Sequence, residues 1–224
     1  MIASRGADLD LHSVNIGAHV TAGGAALAIG LFALFSRKGG WLHRRAGWAA
    51  AGLGGLALLT AVAAVLLFHP PAPLVAATLS AGYQYLSGLR SARLRQGGPG
   101  WPDVALALTG LGLVGLLLHL MTAGTRSWNP AIGYSTMGFL TLVALYDLSR
   151  PAWFRTWRAH VRALDHGVKM IGFYFAMMSA GAGNLLAQWQ PLSQVLPSML
   201  GLMTMIAFVI FYNLKPIRVP AGFA

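Results

Sequence analysis

Chemistry in this chain has to rest on its histidines. There are seven of them, beside no cysteine and only five acidic residues. Without cysteine there is no disulfide, no thiolate metal ligand and no sulfur nucleophile. Four histidines fall in or at the ends of long apolar stretches: His19, His43, His119 and His166. His12, His69 and His160 lie in polar or loop-like surroundings. Two imidazoles on different helices at one depth are what a b-type haem between membrane helices requires. Gly23, one helical turn after His19, would admit a flat macrocycle. Arg44, Arg45, Arg90 or Lys169 could pair with haem propionates near His43 and His166. The same His and Arg groups could instead hydrogen-bond a quinone headgroup. A histidine without a cofactor at His19 or His119 would hydrogen-bond a neighbouring helix. A simple metal centre has little to stand on, because no HxxxH or HxxE spacing occurs.

These residues are carried by a chain that lipid must solvate. It has 224 residues, 56% of them hydrophobic and 9% charged, with mean hydropathy +0.62. Soluble domains carry about 25% charged residues, so this chain cannot cover a water-facing surface. Spanning hydrocarbon takes about 20 apolar residues as a helix. Seven stretches qualify: Ile16–Phe35, Gly47–Phe68, Pro73–Leu89, Val104–Thr122, Ala131–Tyr146, Gly167–Trp189 and Val195–Leu214. The fifth is the weakest, and the third is short and polar at its end. The first fifteen residues lack a basic segment followed by an apolar core, so the first helix is expected to serve as an uncleaved insertion signal.

The net charge of +11 is explained by placement, and nothing in it suggests nucleic acid. Fourteen of the sixteen Lys and Arg residues fall in alternate gaps, from Arg37, Lys38, Arg44 and Arg45 to Lys215 and Arg218. The opposite side holds only Arg5 and Arg126. Short loops rich in Lys and Arg stay cytoplasmic. The expectation is an all-α polytopic membrane protein: one bundle over 1–224, seven transmembrane helices, N-terminus outside and C-terminus cytoplasmic, in a bacterial inner membrane. His43 and His166 then share the inner side with Arg44, Arg90 and Lys169, while His19 and His119 share the outer side. Asp103, Asp147 and Asp165 lie near Arg or Lys at inner helix ends, where interfacial ion pairs are expected. Residues 150–165, with Trp153, Phe154, Trp157 and their arginines, read as an interfacial amphipathic segment. Gln84, Asn184, Gln188 and Asn213 are expected to hydrogen-bond between helices. Small residues at four-residue spacing, Gly47-Ala51-Gly55 and Ser179-Gly183, are expected to admit neighbouring helices closely.

Two seven-helix classes find no support. A retinal protein needs a lysine in the middle of the seventh segment, and Lys215 lies past its end. Transporters commonly show internal repeats, and none is evident.

Five stretches resemble a family of bacterial multi-pass membrane proteins of unknown function. They are HVTAGGAALAIG from His19, GGWLHRRAGW at 39–48, YLSGLRSAR at 85–93 with Asp103 beyond, DHGVKMIGFYFAMMSA at 165–180 and LPSMLG at 196–201. The resemblance implies the fold and points to His19, His43, Arg90 and His166, and it supplies no reaction or catalytic group. Three function classes follow: a redox protein holding haem b or a quinone on the inner side; a protein binding or transporting an anionic lipid or small molecule there; or a ligand-free subunit or assembly factor of a membrane complex. Anionic lipids on the cytoplasmic side are the expected partners.

Overall fold

A computed structural model describes residues 2–94, 98–123, 129–153 and 158–214. They form seven α-helices: α1 (Ile2–Phe35), α2 (Trp41–Phe68), α3 (Ala72–Arg93), α4 (Trp101–Thr122), α5 (Pro130–Trp153), α6 (Arg158–Leu185) and α7 (Leu192–Leu214). No strand occurs among the described residues. The ends of α1, α2 and α4 coincide with the C-terminal edges of the expected apolar stretches. The helices begin earlier than those stretches, because polar first turns continue the helix without raising its hydropathy.

Five helices are long and apolar enough to cross a membrane: α1, α2, α4, α5 and α7. The fifth, expected to be weakest, is among them. The two that fall short are α3 and α6. Both are polar for one reason: α3 carries Gln84, Ser87, Arg90 and Ser91, and α6 carries Asp165, His166 and Lys169. Of these, Gln84, Ser87, Ser91, Asp165 and Lys169 are buried. Helix α6 packs on α1, α3 and α7, while α1 pairs with α2 and α4 with α5.

The bundle is inverted relative to a soluble protein. Its largest fully buried side chains include Arg150 and Lys169. Leu59, Leu66, Leu142 and Phe211 are exposed. Burying cations while displaying leucine is stable only where the surroundings are apolar.

Small residues decide how closely α2, α3 and α6 approach. Gly55 leaves room for the Tyr85 ring, whose hydroxyl donates to the Ala51 carbonyl at 2.9 Å. Thus part of the Gly47-Ala51-Gly55 face meets α3 as expected. Gly47 itself meets nothing, and space opens beside it. Around the second pair, Ser179 donates to the Gln194 carbonyl at 2.7 Å, joining α6 to the start of α7. Two of the span amides bond along their own helices: Asn184 donates to the Ala180 carbonyl and Asn213 to the Val209 carbonyl. Gln84 is buried and reaches Ser80 O within α3. A carbonyl one turn back is always in reach of these short side chains.

The segment at 150–165 divides among α5, α6 and residues 154–157, which lie outside the described residues.

Candidate functional site

The basic end of the bundle holds two polar sites, separated by α3 and α6. The first is a buried ion network. Arg150 of α5 reaches three carboxylates: Asp165 at 2.6 Å, Asp147 at 3.1 Å and Asp103 at 3.5 Å. Lys169 of α6 reaches Asp147 at 2.5 Å and Asp165 at 2.9 Å. Arg90 of α3 clasps Asp103 through Nε and Nη2, each at 2.9 Å. Asp103 also accepts the Gly100 N–H at 2.8 Å, so it caps α4 while receiving the arginine. Tyr83 and Ser87 donate to Asp147 at 2.7 and 2.6 Å. Lys169 donates to Ser91 at 3.2 Å and lies 5.7 Å from the Tyr146 ring centre.

The network is electrically balanced: three aspartates against Arg90, Arg150 and Lys169. All but Arg90 are about 1% exposed at the side chain; Arg90 is 40% exposed and forms the rim. The expected ion pairs therefore exist, but in the interior. Asp147 and Asp165 sit well inside α5 and α6, where those helices press on α3. Desolvation of such charges is costly, and only this complete mutual pairing makes the burial tolerable.

The second site is a cavity of about 510 Å³ bounded by α1, α2, α3, α6 and α7. Its polar lining includes Lys38, His43, Arg44, Arg162, His166 and Tyr174. Tyr212 adds a second tyrosine, and the rest is apolar or glycine, including Trp48, Phe173 and Phe208. Among the described residues no carboxylate lines it. The turn between α1 and α2 shapes one wall. Gly39 takes φ +75°, a conformation costly for other residues, and lets Lys38 and His43 face the same space. Lys38 Nζ donates to the Leu34 and Ala33 carbonyls at 2.5 and 3.2 Å, capping the end of α1.

Both histidines are oriented by main chain. His43 Nδ1 lies 3.0 Å from Ala33 O, and His166 Nδ1 lies 3.0 Å from Gly88 O. A carbonyl can only accept, so each Nδ1 carries the proton. When neutral, each ring so bonded keeps a lone pair on Nε2.

The five residues expected to cluster on the inner side thus divide. His43, Arg44 and His166 share the cavity, whereas Arg90 and Lys169 belong to the ion network. His19 takes no part in either: its Nδ1 meets Ala57 O at 2.9 Å and Thr60 Oγ1 at 3.1 Å, tying α1 to α2. His119 is an exposed residue near the end of α4. No group of three or more His, Asp or Glu suited to a metal ion occurs among the described residues.

Sequence reasoning missed the ion network as a unit. Its traces were present. Tyr83, Ser87 and Ser91 recur at four-residue spacing along one face of α3. Asp147 with Arg150, and Asp165 with Lys169, stand at helical i,i+3 and i,i+4 spacing. Comparison with family models, curated proteins and solved structures finds no match to this chain.

Proposed function

We propose that this is a seven-span protein of a bacterial inner membrane, N-terminus outside, that binds an apolar molecule with an acidic head in its cytoplasmic-side cavity. The observation that carries this is the cavity's unbalanced charge. Lys38, Arg44 and Arg162 line it with no carboxylate, while three of the chain's five acidic residues are committed to the ion network. An acidic head would neutralise those cations, and the aromatic walls would take the apolar body. Orientation follows from the cations at one end of the bundle. Helices α3 and α6 cross despite their polarity, because their charges are satisfied inside.

One observation favours a specific ligand, haem b. His43 and His166 each offer Nε2 with Nδ1–H fixed on a carbonyl, an arrangement that suits an imidazole ligand. Lys38, Arg44 and Arg162 would hold the propionates. Haem bound there would supply one-electron chemistry. A quinone would also find His and Arg partners, but it would leave the cations uncompensated.

The test is to purify the protein in mild detergent from cells supplied with haem, record its optical spectrum and extract its bound molecules for mass analysis. An acid-headed ligand supports the proposal, and a Soret band identifies haem as that ligand. A neutral ligand, or none in protein that remains folded, overturns it.

A further inference from the structure

A second apolar hollow, of about 380 Å³, adjoins the cavity. Helix α6 is its floor, through Ile171, Phe175 and Met178. Helices α1 and α7 are its walls, through Leu31, Phe35, Leu200 and Ala207. These two helices flank α6 without forming a packed pair of their own among the described residues. A groove is left between them along the surface of the bundle. Leu34, Lys38, Ile171, Tyr174 and Phe208 line both groove and cavity, so the two hollows adjoin along these residues. Thr204, a polar residue in the groove, has its hydroxyl on Leu200 O at 2.7 Å. That leaves the channel wall apolar up to Lys38. There the lining changes abruptly to Lys38, Arg44, His43, His166 and Arg162.

We propose that groove and cavity are one site for a single-chain acidic amphiphile, entered sideways from the bilayer. The acidic head sits among Lys38, Arg44 and Arg162, and the alkyl chain lies on α6 between α1 and α7. Charge complementarity selects the head, and an apolar groove that adjoins the cations at Lys38 selects a chain. This inference rests on the cavity's being a ligand site, and it replaces a compact ligand by one with a tail.

Alkyl phosphates of two lengths separate the two claims. Binding of butyl phosphate and dodecyl phosphate is measured by calorimetry on the full chain in nanodiscs of uncharged lipid. Each methylene moved from water to an apolar groove is worth about fourfold in affinity. Thr204→Trp should therefore weaken dodecyl phosphate by at least about tenfold and leave butyl phosphate unchanged. Ala207→Leu, a milder filling of the same groove, should act in the same direction and serves if Thr204→Trp does not fold. Equal dodecyl phosphate affinity in wild type and a folded groove variant overturns the groove and leaves the cavity standing. Failure of both phosphates to bind wild type, or binding that Arg44→Ala does not weaken, overturns the cavity and the groove with it.

Discussion

Removing Arg150 should be among the most damaging single changes in this chain. Its guanidinium answers Asp165 at 2.6 Å, Asp147 at 3.1 Å and Asp103 at 3.5 Å, with the side chain 1% exposed. Arg150→Met keeps most of the volume, so packing loss is small. The electrostatic change is not small. Three aspartates would remain against Arg90 and Lys169, a net charge of −1 in a dry interior. Breaking one buried pair costs about 3–5 kcal/mol. That is a large share of a typical total stability of about 5–15 kcal/mol. Arg150→Met/Asp165→Asn restores the balance, since Lys169 still pairs with Asp147. The double variant should recover about 1–3 kcal/mol relative to additive losses, as contacting residues do. The assay is reversible unfolding by SDS in mixed micelles, followed by far-UV circular dichroism. A loss below about 1 kcal/mol for Arg150→Met, or strictly additive losses in the double variant, would refute the reading of the network as a mutually dependent unit.

Three further outcomes are expected. Gly47 lies on the cavity wall, and an added Cβ meets nothing there. Gly47→Leu should therefore preserve folding, scored by monodisperse gel filtration, while lowering bound-ligand content severalfold. His19→Ala removes the bonds to Ala57 O and Thr60. It should cost about 1 kcal/mol in the same unfolding assay and leave ligand content unchanged. Because the chain contains no cysteine, single introduced thiols report orientation: a membrane-impermeant maleimide should label His69→Cys in intact cells and Gly98→Cys only after permeabilisation.

Much of the fold was legible because apolar length and charge placement are local properties. The ends at Phe35, Phe68 and Thr122 show this. What hydropathy could not rank was α3 against α5. A polar residue lowers hydropathy equally whether it faces lipid or a buried partner, and only tertiary contact tells Ser87 from an exposed serine. The site was half legible for the same reason. His43 and His166 shared a depth, and they do share a cavity. Arg90 and Lys169 shared that depth too, but depth does not give azimuth. On α6, His166 and Lys169 stand three residues apart, a separation of only about 60° around the helix axis. Yet His166 opens on the α1–α2 side and Lys169 on the α4–α5 side. That difference separates the cation-lined cavity from the neutral ion network. The i,i+4 spacing of Asp165 and Lys169 was visible, but their common partner on α5 was not.

Native mass spectrometry of wild type beside Arg44→Ala/Arg162→Ala, both purified in mild detergent, decides whether the cavity between α1, α2 and α6 holds an acid-headed ligand. One acidic molecule per wild-type chain, lost from the folded double variant, is the expected result. A bare wild-type chain, a neutral adduct, or an acidic adduct retained undiminished by the double variant would contradict it.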